Sequence, residues 1–126
     1  MRAIDTNLLV RLIARDDARQ VAVAETFVAA GAWVGHLVLA ETTWVLSAVY
    51  ALRPTAIATA VEMLLNHQHL TIQDAEVVAG ALARYRGNPR TSFSDCLVLE
   101  IARKAGHLPV GTFDRQLAKL DGAQKL

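Results

Sequence analysis

Short segments of strand length alternate with longer segments of helix length along the whole chain. The strand-like segments are residues 2–5, 33–36, 70–72 and 109–112, with 123–125 as a candidate edge strand. Between them, apolar residues recur at the three- and four-residue intervals of an amphipathic helix. Parallel strands need crossover helices that cover the sheet, so this alternation predicts an α/β fold with a mainly parallel sheet of four or five strands.

Residues that commonly begin or end helices bound the predicted helical segments. Asp16 or Asp17 begins the second helix and Gly31 ends it, and Ser92 or Ser94 begins the sixth. The predicted helices are residues 7–14, 17–30, 37–50, 55–66, 74–85, 92–104 and 114–120. Only short loops separate these segments, so we expect a single domain over residues 1–126.

The composition limits the class of protein. With 126 residues, 53% of them hydrophobic and 20% charged, the chain is typical of a small globular domain. The single cysteine, Cys96, excludes an internal disulfide and a cysteine-based zinc site. No secretory signal and no membrane-spanning segment is predicted, so we expect a cytoplasmic protein.

The net charge of +1 does not identify a partner, although basic residues cluster in two places. Arg11, Arg15 and Arg19 form the first cluster, and the second contains Arg84, Arg86 and Arg90. Either cluster is explained by a solvated surface or by contact with phosphates.

Four carboxylates lie next to apolar segments where an acid is unexpected. Asp5 ends the first predicted strand, and Asp114 lies two residues after the strand 109–112. Glu41 and Asp95 lie in the first turns of predicted helices, with apolar residues three, four and seven positions later. An ionised carboxylate among apolar groups is costly unless it is paired.

These acids follow the ends of predicted parallel strands, and ligands bind beyond the carboxyl ends of such strands. We therefore expect the four acids to converge at one edge of the sheet. Several carboxylates together repel one another, and a hard divalent cation with oxygen ligands removes both problems. The sequence predicts an acidic pocket that holds Mg²⁺ or Mn²⁺.

Three of the acids also have a structural explanation. Asp95 completes the capping pattern that begins at Ser92, Asp5 would cap the first helix, and Asp114 would be an early-helix acid. Glu41 has no such explanation, because Leu37, Trp44 and Val45 line its predicted helix face. Glu25 shows similar spacing, but its large apolar neighbours are spread around the helix.

Four motifs resemble those of the PIN-domain ribonucleases, in the family's order and over nearly the whole chain. They are Ile4-Asp5-Thr6-Asn7, Leu39-Ala40-Glu41, Phe93-Ser94-Asp95-Cys96-Leu97 and Gly111-Thr112-Phe113-Asp114. Within that family the chain resembles the VapC-type toxins of prokaryotic toxin–antitoxin pairs. Ser94 and the short tail after Asp121 are modest variations that remove no carboxylate.

The resemblance implies an α/β/α sandwich, Mg²⁺ or Mn²⁺ as cofactor, and endonucleolytic cleavage of RNA. It implies a homodimer and a cognate antitoxin that occupies the site. The catalytic and metal-binding residues it implies are Asp5, Glu41, Asp95 and Asp114, and the supporting residues are Thr6, Asn7 and Thr112.

We expect Asp5 and Asp95 to hold the principal ion directly, and Glu41 and Asp114 to act through water or on a second ion. The segment with Arg84, Arg86 and Arg90 precedes the helix that carries Asp95 and is the candidate RNA contact.

Three other functions fit a small parallel α/β domain. A receiver-like module that takes a phosphoryl group near Mg²⁺ needs a lysine after a late strand, and Thr112 and Asp114 stand there instead. A PIN-like domain that binds without cleaving has the same acids. A DNA-directed or flap nuclease uses the same chemistry, but a chain of this size leaves no room for an added DNA-binding domain.

Overall fold

Six α-helices and five short parallel strands form the chain, and a computed structural model describes all of residues 1–126. The chain divides into two units, Met1–Ala75 and Glu76–Leu126. All strand pairs are parallel, so the predicted α/β class with parallel strands is confirmed.

The first unit contains a three-stranded sheet and four helices. Strand β2 is central and pairs with β1 and β3, so that Ala32 lies between Arg2 and Leu70. The elements are β1 Arg2–Ala3, α1 Thr6–Ala14, α2 Ala18–Val28, β2 Ala32–Val34, α3 His36–Ala48, α4 Pro54–Leu65 and β3 Leu70–Ile72.

Apolar side chains from every helix and from the sheet form the core of this unit. Leu9, Val28, Val34, Leu46 and Leu64 are at most 2% exposed. Burial of each such side chain contributes about 1.5–3 kcal/mol, which makes this core the main source of stability of the unit.

Local contacts fix where the helices of the first unit begin. The Asp17 carboxylate caps α2 by accepting the Gln20 N–H at 3.0 Å. Helix α3 has no cap from its own segment, and instead Gln73 Oε1 accepts the His36 N–H at 2.8 Å. The His36 ring also contacts the Gln73 carbonyl, with 2.7 Å between Nε2 and the oxygen. The residue after β3 therefore anchors the start of α3.

The second unit contains two long helices and a two-stranded sheet. Val110 of β4 lies opposite Ala123 of β5. The elements are α5 Ala75–Gly87, α6 Phe93–Ala105, β4 Val110–Thr112, a short 3₁₀ helix Leu117–Lys119 and β5 Ala123–Lys125. Helix α5 begins at the last residue of the first unit.

Glu100 of α6 joins the elements of the second unit. Its carboxylate lies between Arg84 of α5, at 3.1 Å, and Arg103, at 3.4 Å, and its side chain is only 11% exposed. Arg103 Nη2 also donates to the Asp121 carbonyl at 2.7 Å. One ion-pair network thus connects α5, α6 and the turn before β5.

The structure differs from the sequence-based expectation in two places. The five strands form a three-stranded and a two-stranded sheet, whereas one sheet of four or five strands was expected. Spacing in the sequence shows that strands exist but not which neighbours they pair with. The predicted helix 114–120 is wrong, because only Leu117–Lys119 is helical and it is a 3₁₀ turn.

No helix has both the length and the apolar character needed to cross a bilayer.

Candidate functional site

Asp5 lies directly after Ile4, whose backbone N–H donates to the Trp33 carbonyl at 3.1 Å. It is the cap of α1, and its Oδ1 accepts the Leu8 N–H at 3.0 Å. The capping role suggested by the sequence is therefore confirmed. The residue is exposed, and this bond uses one carboxylate oxygen, so Oδ2 is left for another ligand.

Glu41 lies on α3, and a hydrogen bond connects it to the first residue of α1. The Thr6 hydroxyl donates to Glu41 Oε2 over 3.3 Å. Because Asp5 immediately precedes Thr6, the first unit brings Asp5, Thr6 and Glu41 into one region. Thr6 thus contacts one of the four acids, Glu41, and its supporting role in a site stays a prediction.

The prediction that Glu41 lies on a solvent-excluded face is wrong. Glu41 is exposed, and so are Leu37 and Trp44 on the same face, at 72% and 64%. It also lies in the second turn of α3 and not in the first, because the helix begins at His36. The buried residues are its neighbours Thr42 and Thr43.

Asp95 lies in the first turn of α6 and is half-buried. Ser92 is the cap of this helix, and its Oγ accepts the Asp95 N–H at 3.1 Å. The Ser92 and Ser94 hydroxyls are 3.3 Å apart. Only the Ser92 half of the capping pattern read from the sequence is therefore present, because the bond uses the backbone N–H of Asp95 and not its carboxylate.

Asp114 and Thr112 form a turn after β4. Thr112 Oγ1 accepts the Asp114 N–H at 2.9 Å, and Asp114 Oδ1 accepts the N–H groups of Gln116 and Leu117 at 2.8 and 2.9 Å. Because Thr112 Oγ1 accepts in this bond, its hydroxyl hydrogen is left to donate, and the expected contact of Thr112 with a carboxylate or a phosphate stays a prediction. Asp114 is exposed and, like Asp5, uses only one oxygen in the turn.

We expect Asn7 to hold Asp5 in place, but no hydrogen bond connects the two residues, and Asn7 lines a groove between α1 and α2. That groove was not foreseen, and its most exposed apolar residue is Val23, at 66%. The sequence pattern that could have indicated the groove is the four-residue spacing of Arg19, Val23 and Phe27, which places all three on one face of α2.

Arg84 and Arg90 of the basic segment before α6 differ in their contacts. Arg84 Nε donates to Glu100 Oε1 at 3.1 Å, so this guanidinium is part of the network within the second unit. Arg90 is exposed in the loop after α5. Of the two, Arg90 is better suited to contact a phosphate.

Cys96, next to Asp95, is completely buried. Burial, reinforced by the negative charges of Asp95 and Glu100, raises the pKa of its thiol to about 11. At neutral pH the group is a protonated thiol inside the core, which confirms the expectation that Cys96 is a small core residue and not a nucleophile.

None of the four acids is desolvated to the degree that its apolar sequence neighbours suggest, because three are exposed and Asp95 is half-buried. No group of three or more histidine, cysteine, aspartate or glutamate side chains is placed to hold a metal ion. Asp5 and Glu41 belong to the first unit, and Asp95 and Asp114 to the second. Their convergence stays a prediction.

The chemistry of the donors nevertheless suits a hard divalent cation. Carboxylate oxygens are the ligands that Mg²⁺ and Mn²⁺ prefer, and Mg²⁺ keeps several of its waters, so one or two direct carboxylates are enough. Asp5 and Asp114 each keep one oxygen outside their capping bonds.

The PIN-domain profile matches residues 3–123, a range that includes all four acids. Comparison with the curated proteins and with the solved structures found no significant match. PIN domains are typically nucleases and typically bind Mg²⁺. Since the match covers nearly the whole sequence, the chain belongs to the PIN-domain family.

Proposed function

We propose that this protein is an Mg²⁺- or Mn²⁺-dependent endoribonuclease that acts as the toxin of a toxin–antitoxin pair in the cytoplasm. The observation that carries the proposal is the PIN-domain match over residues 3–123, within which all four acids of the family resemblance are present. We further propose a homodimer and a cognate antitoxin as partners.

Hydrolysis of a phosphodiester needs an activated water and compensation for charge that develops on the phosphate. A bound Mg²⁺ or Mn²⁺ supplies both, by lowering the pKa of water and by neutralising negative charge. In the proposal, Asp5 and Asp95 hold the ion. Glu41 and Asp114 orient the attacking water or recruit a second ion.

The local contacts support these roles. The cap bond fixes the Asp5 carboxylate at the start of α1 and leaves Oδ2 available. The Thr6 hydroxyl restricts the rotamers of Glu41, so its second oxygen has a defined direction for a water. Asp114 is held in the same manner by two backbone N–H groups.

The proposal is tested by incubating the purified protein with single-stranded RNA in Mg²⁺, in Mn²⁺ and in EDTA. We expect cleavage only with a metal ion, and a loss of at least about 100-fold in Asp5→Asn and Asp95→Asn. Asparagine caps helices about as well as aspartate, so Asp5→Asn removes a charged ligand and keeps the start of α1.

Glu25→Gln is the matched control. Glu25 had similar apolar spacing in the sequence, but it forms an exposed ion pair with Arg15, at 2.7 Å. Exposed ion pairs contribute about 0–1 kcal/mol, so this variant is expected to cleave at the unsubstituted rate. Full activity of Asp5→Asn would show that Asp5 is not a required metal ligand. Cleavage of DNA in place of RNA would show that the substrate is DNA.

The second candidate is a PIN-like domain that binds without cleaving. The observation that favours it is that no three acidic or imidazole side chains form a metal-binding group. Metal-independent RNA binding without any cleavage product would select this alternative. Membership of the PIN-domain family argues against a receiver-like module.

The toxin role has its own test. Induced expression in a bacterial host is expected to arrest growth for the unsubstituted protein and not for Asp5→Asn. Coexpression of a small protein encoded next to this gene is expected to restore growth. Normal growth with cleavage-competent protein would keep the nuclease proposal and reject the toxin role.

A further inference from the structure

A groove between α1 and α2 of the first unit is not used by the acids. Its volume is about 530 Å³, within the usual range of ligand pockets of about 300–1,000 Å³. A second cavity of about 470 Å³ shares Val23 and Phe27 with it and reaches Arg2. The two therefore form one continuous groove along α2, with Arg19 near one end and Arg2 at the other.

The floor of the groove is apolar and contains an aromatic ring. Val23 is 66% exposed, and Phe27 is half-buried. The Arg2 guanidinium lies 3.7 Å from the centroid of the Phe27 ring. Nucleobases stack on aromatic rings and on guanidinium planes, so this pair provides a stacking surface that does not depend on the base.

The charges of the groove favour an anion. Arg11 is paired with Asp16 at 3.0 Å, and Asp17, which caps α2, is the one carboxylate that lines the groove. Arg19 is exposed and forms neither a hydrogen bond nor an ion pair. Arg19 and Arg2 are thus in no ion pair, and with Arg11 they outnumber the single lining carboxylate.

The groove begins at the first turn of α1, the helix that Asp5 caps. Asn7 and Leu8 line it, and the Leu8 N–H donates to Asp5 Oδ1 at 3.0 Å. From Arg19 to Phe27 the helix rises roughly 12 Å. Stacked nucleotides rise about 3.4 Å each, so the groove has the length of about three nucleotides.

We propose that the groove between α1 and α2 binds the single-stranded RNA next to the cleaved phosphate, with Arg19 on a phosphate and the Phe27–Arg2 pair under a base. The inference rests on the proposed function, because it names the subsite that holds that substrate.

The test measures binding of a fluorescent single-stranded RNA in EDTA, where no cleavage occurs, as a function of salt concentration. We expect Arg19→Gln to lower affinity and to reduce the slope of log K against log salt by about 0.7, the value for one phosphate contact on a single strand. Phe27→Leu keeps an apolar side chain in place but removes the ring, and we expect affinity to fall about fivefold or more.

Arg53→Gln is the matched control, since Arg53 is an exposed arginine of the same unit that lies outside the groove. It is expected to leave both affinity and salt slope unchanged. Thermal melting of each variant verifies that it is folded. As a measurement that needs no substitution, photo-crosslinking of RNA with 5-iodouridine is expected to label Phe27 or its neighbours in α2.

The outcomes separate this inference from the nuclease proposal. If the protein cleaves RNA while Arg19→Gln and Arg53→Gln bind it equally, the groove assignment is wrong and the nuclease stands. Crosslinks confined to the Arg84–Arg90 segment would also overturn it. If a peptide of the antitoxin binds in the groove and RNA affinity does not change in Phe27→Leu, the groove belongs to the protein partner. If the unsubstituted protein neither binds nor cleaves RNA, both proposals fall.

Discussion

Asp5 serves the fold with one oxygen and leaves the other for chemistry. Oδ1 caps α1, and a negative charge at a helix N-terminus is stabilising by about 0.3–1 kcal/mol. Asp114 has the same division, with Oδ1 bound to two backbone N–H groups. Capping and metal binding are therefore compatible roles, and finding a cap does not argue against a site.

Thr6 is the residue that orients the Glu41 carboxylate. Its hydroxyl donates to Glu41 Oε2, and we expect Thr6→Val to weaken Mn²⁺ affinity and to slow RNA cleavage by about tenfold. Valine keeps the shape of the side chain and removes the donor. Mn²⁺ titration followed by electron paramagnetic resonance measures the affinity directly.

Thr6→Ser is the control for this variant, because serine restores the hydroxyl and is expected to restore affinity and rate. If Thr6→Val binds Mn²⁺ as tightly as the unsubstituted protein, then Glu41 needs no orientation by Thr6. A change in melting temperature without a change in affinity would indicate a purely structural bond.

The pKa of Cys96 predicts how stability changes at alkaline pH. Its ordinary thiol pKa of 9.0 is raised to about 11, first by burial and then by Asp95 and Glu100. Between pH 9 and 11 the unfolded chain loses the proton while the folded chain keeps it, so the free energy of unfolding falls as pH rises. Burial also raises the pKa of Tyr85 above its ordinary 10.0, which acts in the same direction.

Urea unfolding at pH 8 to 11 measures this dependence, and we expect a loss of about 1–3 kcal/mol from Cys96. Cys96→Ala lowers stability at every pH through the lost volume, but its decline above pH 9 is expected to be smaller. Equal slopes for the two proteins would show that the thiol does not titrate with a raised pKa.

At the scale of the elements, the turn before β5 is tightly constrained. Gly122 has φ of +98°, and a Cβ there would lie 2.8 Å from Arg103 Nη2 and 3.2 Å from Leu99 Cδ1. We expect Gly122→Ala to destabilise the protein by about 1–3 kcal/mol, because it combines backbone strain with displacement of the arginine that holds this turn. Thermal or urea unfolding measures the loss.

Gly87→Ala is the opposite case on another element. Gly87 is the last residue of α5, and a Cβ there would meet nothing within 4 Å. Alanine is favoured over glycine in helices by up to about 1 kcal/mol, so this variant is expected to be neutral or more stable. Equal destabilisation by Gly87→Ala and Gly122→Ala would show that the positive φ and close contacts of Gly122 are not the cause of the loss.

The elements also show where sequence reasoning succeeds and where it fails. Helix caps are local, so the sequence limited them to Asp5, to Asp16 or Asp17, and to Ser92 or Ser94, and the caps present are Asp5, Asp17 and Ser92. Which face of a helix is buried is decided by tertiary packing. Apolar spacing suggested that the Glu41 face of α3 is hidden, whereas that face is exposed.

The last predicted helix failed for a related reason. Residues 114–120 have helical spacing, and Asp114 Oδ1 accepts the N–H groups of Gln116 and Leu117 as a helix cap does. Leu120 is extended and Gly122 has φ of +98°, so the chain turns toward β5 after the single 3₁₀ turn. The groove along α2 was not predicted, because only packing shows which ring edges and faces of a side chain such as Phe27 stay open.

At the scale of the whole molecule, the candidate acids are divided between the two units. Asp5 and Glu41 lie in Met1–Ala75, and Asp95 and Asp114 in Glu76–Leu126. If acids from both units hold the same ion, its binding must depend on each of them. An ion held by one unit alone would depend only on the acids of that unit.

Metal binding therefore gives a test that involves the entire chain. A ligand that binds only the folded state stabilises it by about 2.7 kcal/mol at 100 times its dissociation constant, so Mn²⁺ is expected to raise the melting temperature and EDTA to reverse the rise. We expect the rise to be absent in Asp5→Asn and in Asp95→Asn, and their double variant to show no additional loss of Mn²⁺ affinity, since residues that hold one ion are not additive. Glu25→Gln, outside the site, is expected to keep the full rise. If Asp95→Asn keeps it while Asp5→Asn loses it, the ion is held by the first unit alone, and the assignment of Asp95 as a direct ligand is wrong.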